Sequence, residues 1–189
     1  MLGNSEFKLN RSAFDKIVSL LDLERPADYF SAMDYHIDWI FASLSLASND
    51  DNNPREINEL CIKATQEDVD FILAFIDASG ITHLVMIEAK GYTSFSNKQL
   101  QSKAKRLTEI FGEFGDRWAD IVPHFIICSP KQPIKLDLNN LPTFMLNKKN
   151  NELIWFKLNV PRNRLKVTRC YADGITSENG TFWKVDQVG

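Results

Sequence analysis

Long apolar runs are missing from this chain. No stretch of its 189 residues approaches the roughly 18 consecutive apolar positions of a membrane span, so no membrane partner is expected. Cysteine is scarce: Cys61, Cys128 and Cys170 are an odd, scattered set, which fits reduced thiols better than a disulfide framework, and two of them sit in apolar strands where core packing is expected. The opening MLGNSEFKLNRSAFDK has no signal-type apolar segment, and a cytoplasmic protein is expected. His36, His83 and His124 stand alone, without C-x-x-C, H-x3-H or H-E-x-x-H spacing, so zinc is not announced. No G-x-S-x-G elbow, Walker A loop or G-x-G-x-x-G occurs. Internal repeats and low-complexity segments are also missing.

What is present is an ordinary globular composition, 44% apolar and 25% charged, in a length that suits one domain with a small annex. The net charge of −3 hides a marked asymmetry. Residues 1–90 carry 7 bases against 16 acids, whereas residues 91–189 carry 15 bases against 9 acids. Lys98, Lys103, Lys105 and Arg106 lie in an acid-free stretch, 91–107. Such a distribution lets one face bind a polyanion, although solvated surface charge is the plainer reading.

Helical spacing of Phe14, Ile17, Leu20 and Leu21 predicts a helix over 11–23, ended by Arg25-Pro26. A stripe of Phe30, Met33, Ile37, Phe41 and Leu44 predicts a second helix over about 27–46. Three strands are expected at 56–64, 68–76 and 82–89, the last two apolar on both faces as in a sheet centre. Ser96 with Gln99 is a capping-box pair, with Phe95 and Leu100 at staple spacing. The following helix carries the stripe Leu100, Ala104, Leu107, Phe111, Phe114. DIVPHFIICSP, 120–130, reads as a buried strand. TFMLNKKNNELIWFKLNV suggests a hairpin, and RLKVTRCY and TFWKVDQV two more strands. The expected organisation is a core over 1–130 and a β-rich extension over 131–189, packed on the same domain.

The link IDASGI sets a register. Asp77 and Gly80 occupy the first and fourth positions of a type I turn, and a three-residue loop places Asp77 opposite Ile81. Counting outward sets Asp70 opposite Glu88 and Asp68 opposite Lys90. Opposed residues on antiparallel strands share a face, with Cβ atoms roughly 5 Å apart. Two carboxylates supply hard oxygen ligands for Mg2+ or Mn2+, and a lysine beside them can hold a water or balance charge on a phosphate. A strand-end salt bridge between Glu88 and Lys90 is the plainer alternative.

Asp70 on one strand and Glu88-Ala89-Lys90 closing the next resemble the signature of the PD-(D/E)xK, restriction-endonuclease-like nucleases. The resemblance covers roughly 100 residues. It implies an α/β fold with an αβββαβ core, a central mixed sheet flanked by helices, here with the β-rich C-terminal extension. It implies metal-dependent hydrolysis of phosphodiesters, most naturally in DNA, leaving 5′-phosphate and 3′-hydroxyl ends. Asp70, Glu88 and the Ala89 carbonyl would be the metal ligands and Lys90 the catalytic lysine. An acid from the first helix, Asp38 or Asp34, joins the site in some members, as does a glutamine, for which Gln101 is freer than the capping Gln99. Glu59 is a further candidate. Lys98, Lys103, Lys105 and Arg106, with some of Arg162, Arg164, Lys166 and Arg169, would contact the nucleic-acid backbone. Val69 stands where the motif has its proline. Nothing forbids a homodimer. The rival reading is a catalytically silent module of the same fold that binds nucleic acid or protein.

Overall fold

The computed structural model describes residues 8–48, 67–91, 93–160 and 164–188. The chain divides into two compact units, Met1–Leu158 and Asn159–Gly189. The first begins with α1 (Arg11–Leu20), whose cap Asn10 accepts the Ser12 N–H at 2.9 Å. Then follow β1 (Phe30–His36), α2 (Ile37–Ser48), β2 (Asp68–Ile76), β3 (Thr82–Ala89), α3 (Asn97–Phe111), β4 (Ile121–Ser129) and β5 (Ile154–Lys157). The expected strand at 56–64 lies outside the described residues.

Residues 27–46 do not form one helix. Their first half is β1, which pairs antiparallel with β2, and α2 starts only at Ile37. Phe30 and Met33, the start of the supposed helical stripe, are exposed. Pairing with the open edge of β2 satisfies a row of backbone groups that a helix here would leave uncovered.

The five strands run β1-β2-β3-β4-β5 in one mixed sheet. β1, β2 and β3 alternate in direction, whereas β3, β4 and β5 are parallel. One face packs Ile72, Leu84, Met86, Phe125 and Ile127 against apolar residues of α2 and α3. The other packs Leu73, Val85, Ile87 and Ile126 against Phe14, Ile17 and Val18 of α1. Coverage on both faces explains why β3 and β4 read as unbroken apolar runs. The segment 143–158 is not a hairpin of two strands. It holds a 3-10 turn (Thr143–Met145) and a single bridge, Leu146 to Leu153, before β5 joins the main sheet beside β4.

The hairpin between β2 and β3 has the expected loop. Asp77 N–H donates to the Ile81 carbonyl at 2.9 Å, and Gly80 takes a φ of +88°, which costs glycine nothing. Asp77 Oδ1 accepts from Ser79 N–H, Ser79 Oγ and Ile81 N–H, locking the turn. Its other oxygen meets His83 Nε2 at 3.1 Å, and His83 Nδ1 meets His124 Nε2 at 2.9 Å.

This trio makes stability pH-dependent. Burial first, then His83 and Lys148, pushes His124 from its ordinary 6.5 down to about 3. The folded protein refuses a proton that the unfolded chain accepts, so the contribution is complete above pH 6.5 and shrinks as pH falls towards 3. The Ser79 hydroxyl, the Ile81 N–H and His83 hold the Asp77 carboxyl below its ordinary value, a contribution lost only in stronger acid. Urea unfolding is expected to show stability falling between about pH 6.5 and 4, at up to about 1.4 kcal/mol per pH unit. His124→Gln should flatten that limb. An unchanged slope in the variant would assign the loss to other groups.

The second unit is a β-ribbon of β6 (Arg164–Cys170) and β7 (Phe182–Val188), paired Cys170 to Phe182 through Arg164 to Val188. Gly180 packs against the backbone of Cys170. A Cβ there would lie 2.8 Å from Cys170 N and closer still to its carbonyl. Gly180→Ala is expected to destabilise the ribbon by about 1–3 kcal/mol through overpacking. Hydrogen exchange checks this: amides of β6 and β7 should exchange tenfold faster or more, with β3 and β4 unaffected.

Candidate active site

The apolar run of β3 ends in Glu88, and the pairing with β2 decides what faces it. The ladder runs from Ile76–Thr82 to Phe71–Ile87, and Asp70 and Glu88 are the next residue beyond it on each strand. The sheet is kinked at this level. In β1, Ala32 and Tyr35 touch the same core although they are three residues apart, and in β2 so do Val69 and Ile72. Both strands therefore change face between these pairs. Asp34, at φ +48°, marks the kink, and Asp34–Asp70 is the one pair that the β1–β2 ladder skips. Such irregularities re-aim a side chain. Asp70 reaches across to β3, where its Oδ2 accepts the Ala89 N–H at 2.6 Å. Its other oxygen has no hydrogen bond among the described residues.

Glu88 is largely buried, its side chain 13% exposed, and it is held by two ammonium groups. Oε1 meets Lys90 Nζ at 2.9 Å, and Oε2 makes an ion pair with Lys103 Nζ. Lys103 also donates to the Asp68 carbonyl at 2.6 Å. Two such partners offset the cost of taking this carboxylate out of water. The Lys90 backbone N–H donates to the Cys128 carbonyl at 2.8 Å, which holds the end of the triplet against β4.

The other expected residues divide sharply. Lys98 and Lys105 are exposed on α3, free for a polyanion. Lys103 and Arg106 are not. Arg106 is 2% exposed and makes an ion pair with Asp38 of α2, with Glu67 at 3.4 Å. It ties α3 to α2 and to the start of β2, a position closed to phosphate. Asp38 is thereby committed to Arg106, and Asp34 is the acid that the register brings near Asp70. Gln101 does not enter the cluster: its amide donates to the carbonyls of Asp137 and Asn139. Gln99 N–H donates to the Ser96 hydroxyl, the expected cap. Glu59 lies outside the described residues. Arg169 of the second unit donates to the Glu178 carbonyl.

Sequence reasoning missed the Lys103–Glu88 and Arg106–Asp38 pairs. A signal exists. On α3, Lys103 and Arg106 flank the stripe of Leu100, Ala104 and Leu107, at its edge rather than on the opposite side.

Among the described residues, no three His, Cys, Asp or Glu side chains come together as a metal-holding group. The donor set for a divalent ion is smaller and hard: the open oxygen of Asp70, the Glu88 carboxylate and the main-chain carbonyl of Ala89. Oxygen donors of this kind fit Mg2+ or Mn2+, which keep several waters and need few protein ligands. Comparison with family models, with curated proteins and with solved structures finds no match to this chain.

Proposed function

We propose that this chain is a divalent-metal-dependent phosphodiesterase that hydrolyses DNA. One observation carries the reading: β2 and β3 bring Asp70, Glu88 and Lys90 to the same end of one strand pair, and one Asp70 oxygen has no hydrogen bond among the described residues. The order α1, β1, β2, β3, α3, β4, with α2 inserted after β1, supports a restriction-endonuclease-like αβββαβ core.

Asp70, Glu88 and the Ala89 carbonyl would hold Mg2+ or Mn2+, which when bound polarises the phosphorus centre and readies a water for attack. Lys90, 2.9 Å from Glu88, supplies an ammonium that can hold that water and balance charge growing on the phosphate. Lys98 and Lys105 contact the backbone, giving affinity and register without sequence information. Binding of this kind weakens steeply with salt.

A second reading, a silent module of the same fold, draws support from the two lysines on Glu88, which satisfy that carboxylate without any metal. One experiment separates the two. Plasmid, single-stranded DNA and RNA are incubated with the protein in Mg2+, in Mn2+ and in EDTA, and thermal unfolding is followed with each. Cleavage of DNA only with metal, and a metal-dependent rise in melting temperature, are expected. No cleavage and no thermal shift would leave the silent module.

A further inference from the structure

Lys103 has no place in the motif, yet it forms an ion pair with the motif's glutamate. Its side chain is 10% exposed and enters from α3, fifteen residues beyond Glu88. Three facts distinguish it from a surface ion pair. It engages Oε2, the oxygen that Lys90 leaves open. It is also anchored on the Asp68 carbonyl, at the start of the strand that carries Asp70. And its neighbour one turn along, Arg106, fixes the helix through Asp38 and Glu67, so the ammonium is delivered by a rigid element.

We infer that Lys103 is a built-in counter-ion: its ammonium occupies Glu88 in the metal-free protein, and a divalent ion must displace it. The inference rests on the nuclease reading of the site. The electrostatics follow from the contacts. A largely buried carboxylate is unfavourable without a cation nearby. Lys103 supplies one before the metal arrives and so holds Glu88 in place. The same charge then opposes the metal, because a cation approaching Glu88 meets an ammonium already there. Asp68 holds the displaced ammonium close by, on the strand end that precedes Asp70. Lys103 is thus a positioning residue that sets metal affinity, distinct from Lys90.

Metal binding tests this without any turnover. Mn2+ affinity is measured by electron paramagnetic resonance on wild type, Lys103→Met, Lys103→Gln, Lys105→Met and Glu88→Gln, with circular dichroism as the check on folding. Lys103→Gln keeps a donor for the Asp68 carbonyl and guards against misfolding of the methionine variant. Both Lys103 variants are expected to bind Mn2+ about tenfold more tightly or better, since one unit charge leaves the site. Their metal-free forms should melt lower than wild type and gain more from Mn2+. Lys105→Met removes an exposed charge from the same helix and should leave affinity unchanged. Unchanged or weaker binding in the folded Lys103 variants, or equal tightening in Lys105→Met, overturns the counter-ion role. Mn2+ binding that ignores Glu88→Gln, or that is missing from every protein, overturns the nuclease reading itself and the counter-ion with it.

Discussion

Glu88→Gln is expected to reduce metal-dependent DNA hydrolysis by about a thousandfold or more while the protein stays folded. A bound divalent ion contributes several kcal/mol to a phosphoryl-transfer transition state, and about 1.4 kcal/mol is a factor of ten. Glutamine keeps the volume and an oxygen for Lys90, but it removes the charge that would hold the ion. It also sets an amide against Lys103, so a modest fall in stability accompanies the loss. Lys90→Met should act differently. Metal binding survives, while the rate falls by about 10²–10⁴, the range for a group that handles a proton or a water in the transition state. The check is a pair of measurements on each variant, steady-state cleavage in Mg2+ and Mn2+ affinity. Activity that persists in both variants would place the chemistry elsewhere.

Arg106→Met is expected to cost about 3–5 kcal/mol of folding stability. The guanidinium is 2% exposed and faces Asp38 and Glu67. Removing it takes from Asp38, itself a buried carboxylate, the guanidinium that it pairs with. The sequence suggests another outcome, since Arg106 lies in the basic stretch of α3. A phosphate contact would leave stability untouched and lower the salt dependence of DNA binding by about one ion. Urea unfolding and a salt titration decide between the two. A companion variant, Asp38→Leu with Arg106→Met, should recover much of the lost stability, because both buried charges then go together. A cost below about 1 kcal/mol for Arg106→Met would mean that the pair is solvated after all.

These two results mark the boundary between local and long-range information. The β2–β3 hairpin is legible because its causes lie within a few residues. Asp77 accepts three hydrogen bonds from its own loop, Gly80 takes the left-handed position, and a period of two then carries the register out to Phe71 and Ile87. The start of α3 is equally local: the Ser96 hydroxyl caps Gln99 N–H across three residues. That register is the reason Asp70, Glu88 and Lys90 stand out in the sequence as candidates.

Other features depend on partners that no local pattern names. Residues 30–36 have helical spacing but become a strand, because the outer edge of β2 offers more backbone hydrogen bonds than an isolated helical turn. β5 joins the sheet beside β4 only after a long excursion, which turn chemistry does not encode. Lys103 and Arg106 look like surface charge in a basic stretch. They are buried because α3 packs with them toward Glu88, Asp38 and Glu67, acids that lie 15, 68 and 39 positions away in sequence. A charge is solvated or paired according to what folds against it, and that is decided in three dimensions. The sequence by itself determined the turn, the cap and the β2–β3 register as far as Phe71 and Ile87; only the tertiary structure decided which cations Glu88 and Asp38 would meet.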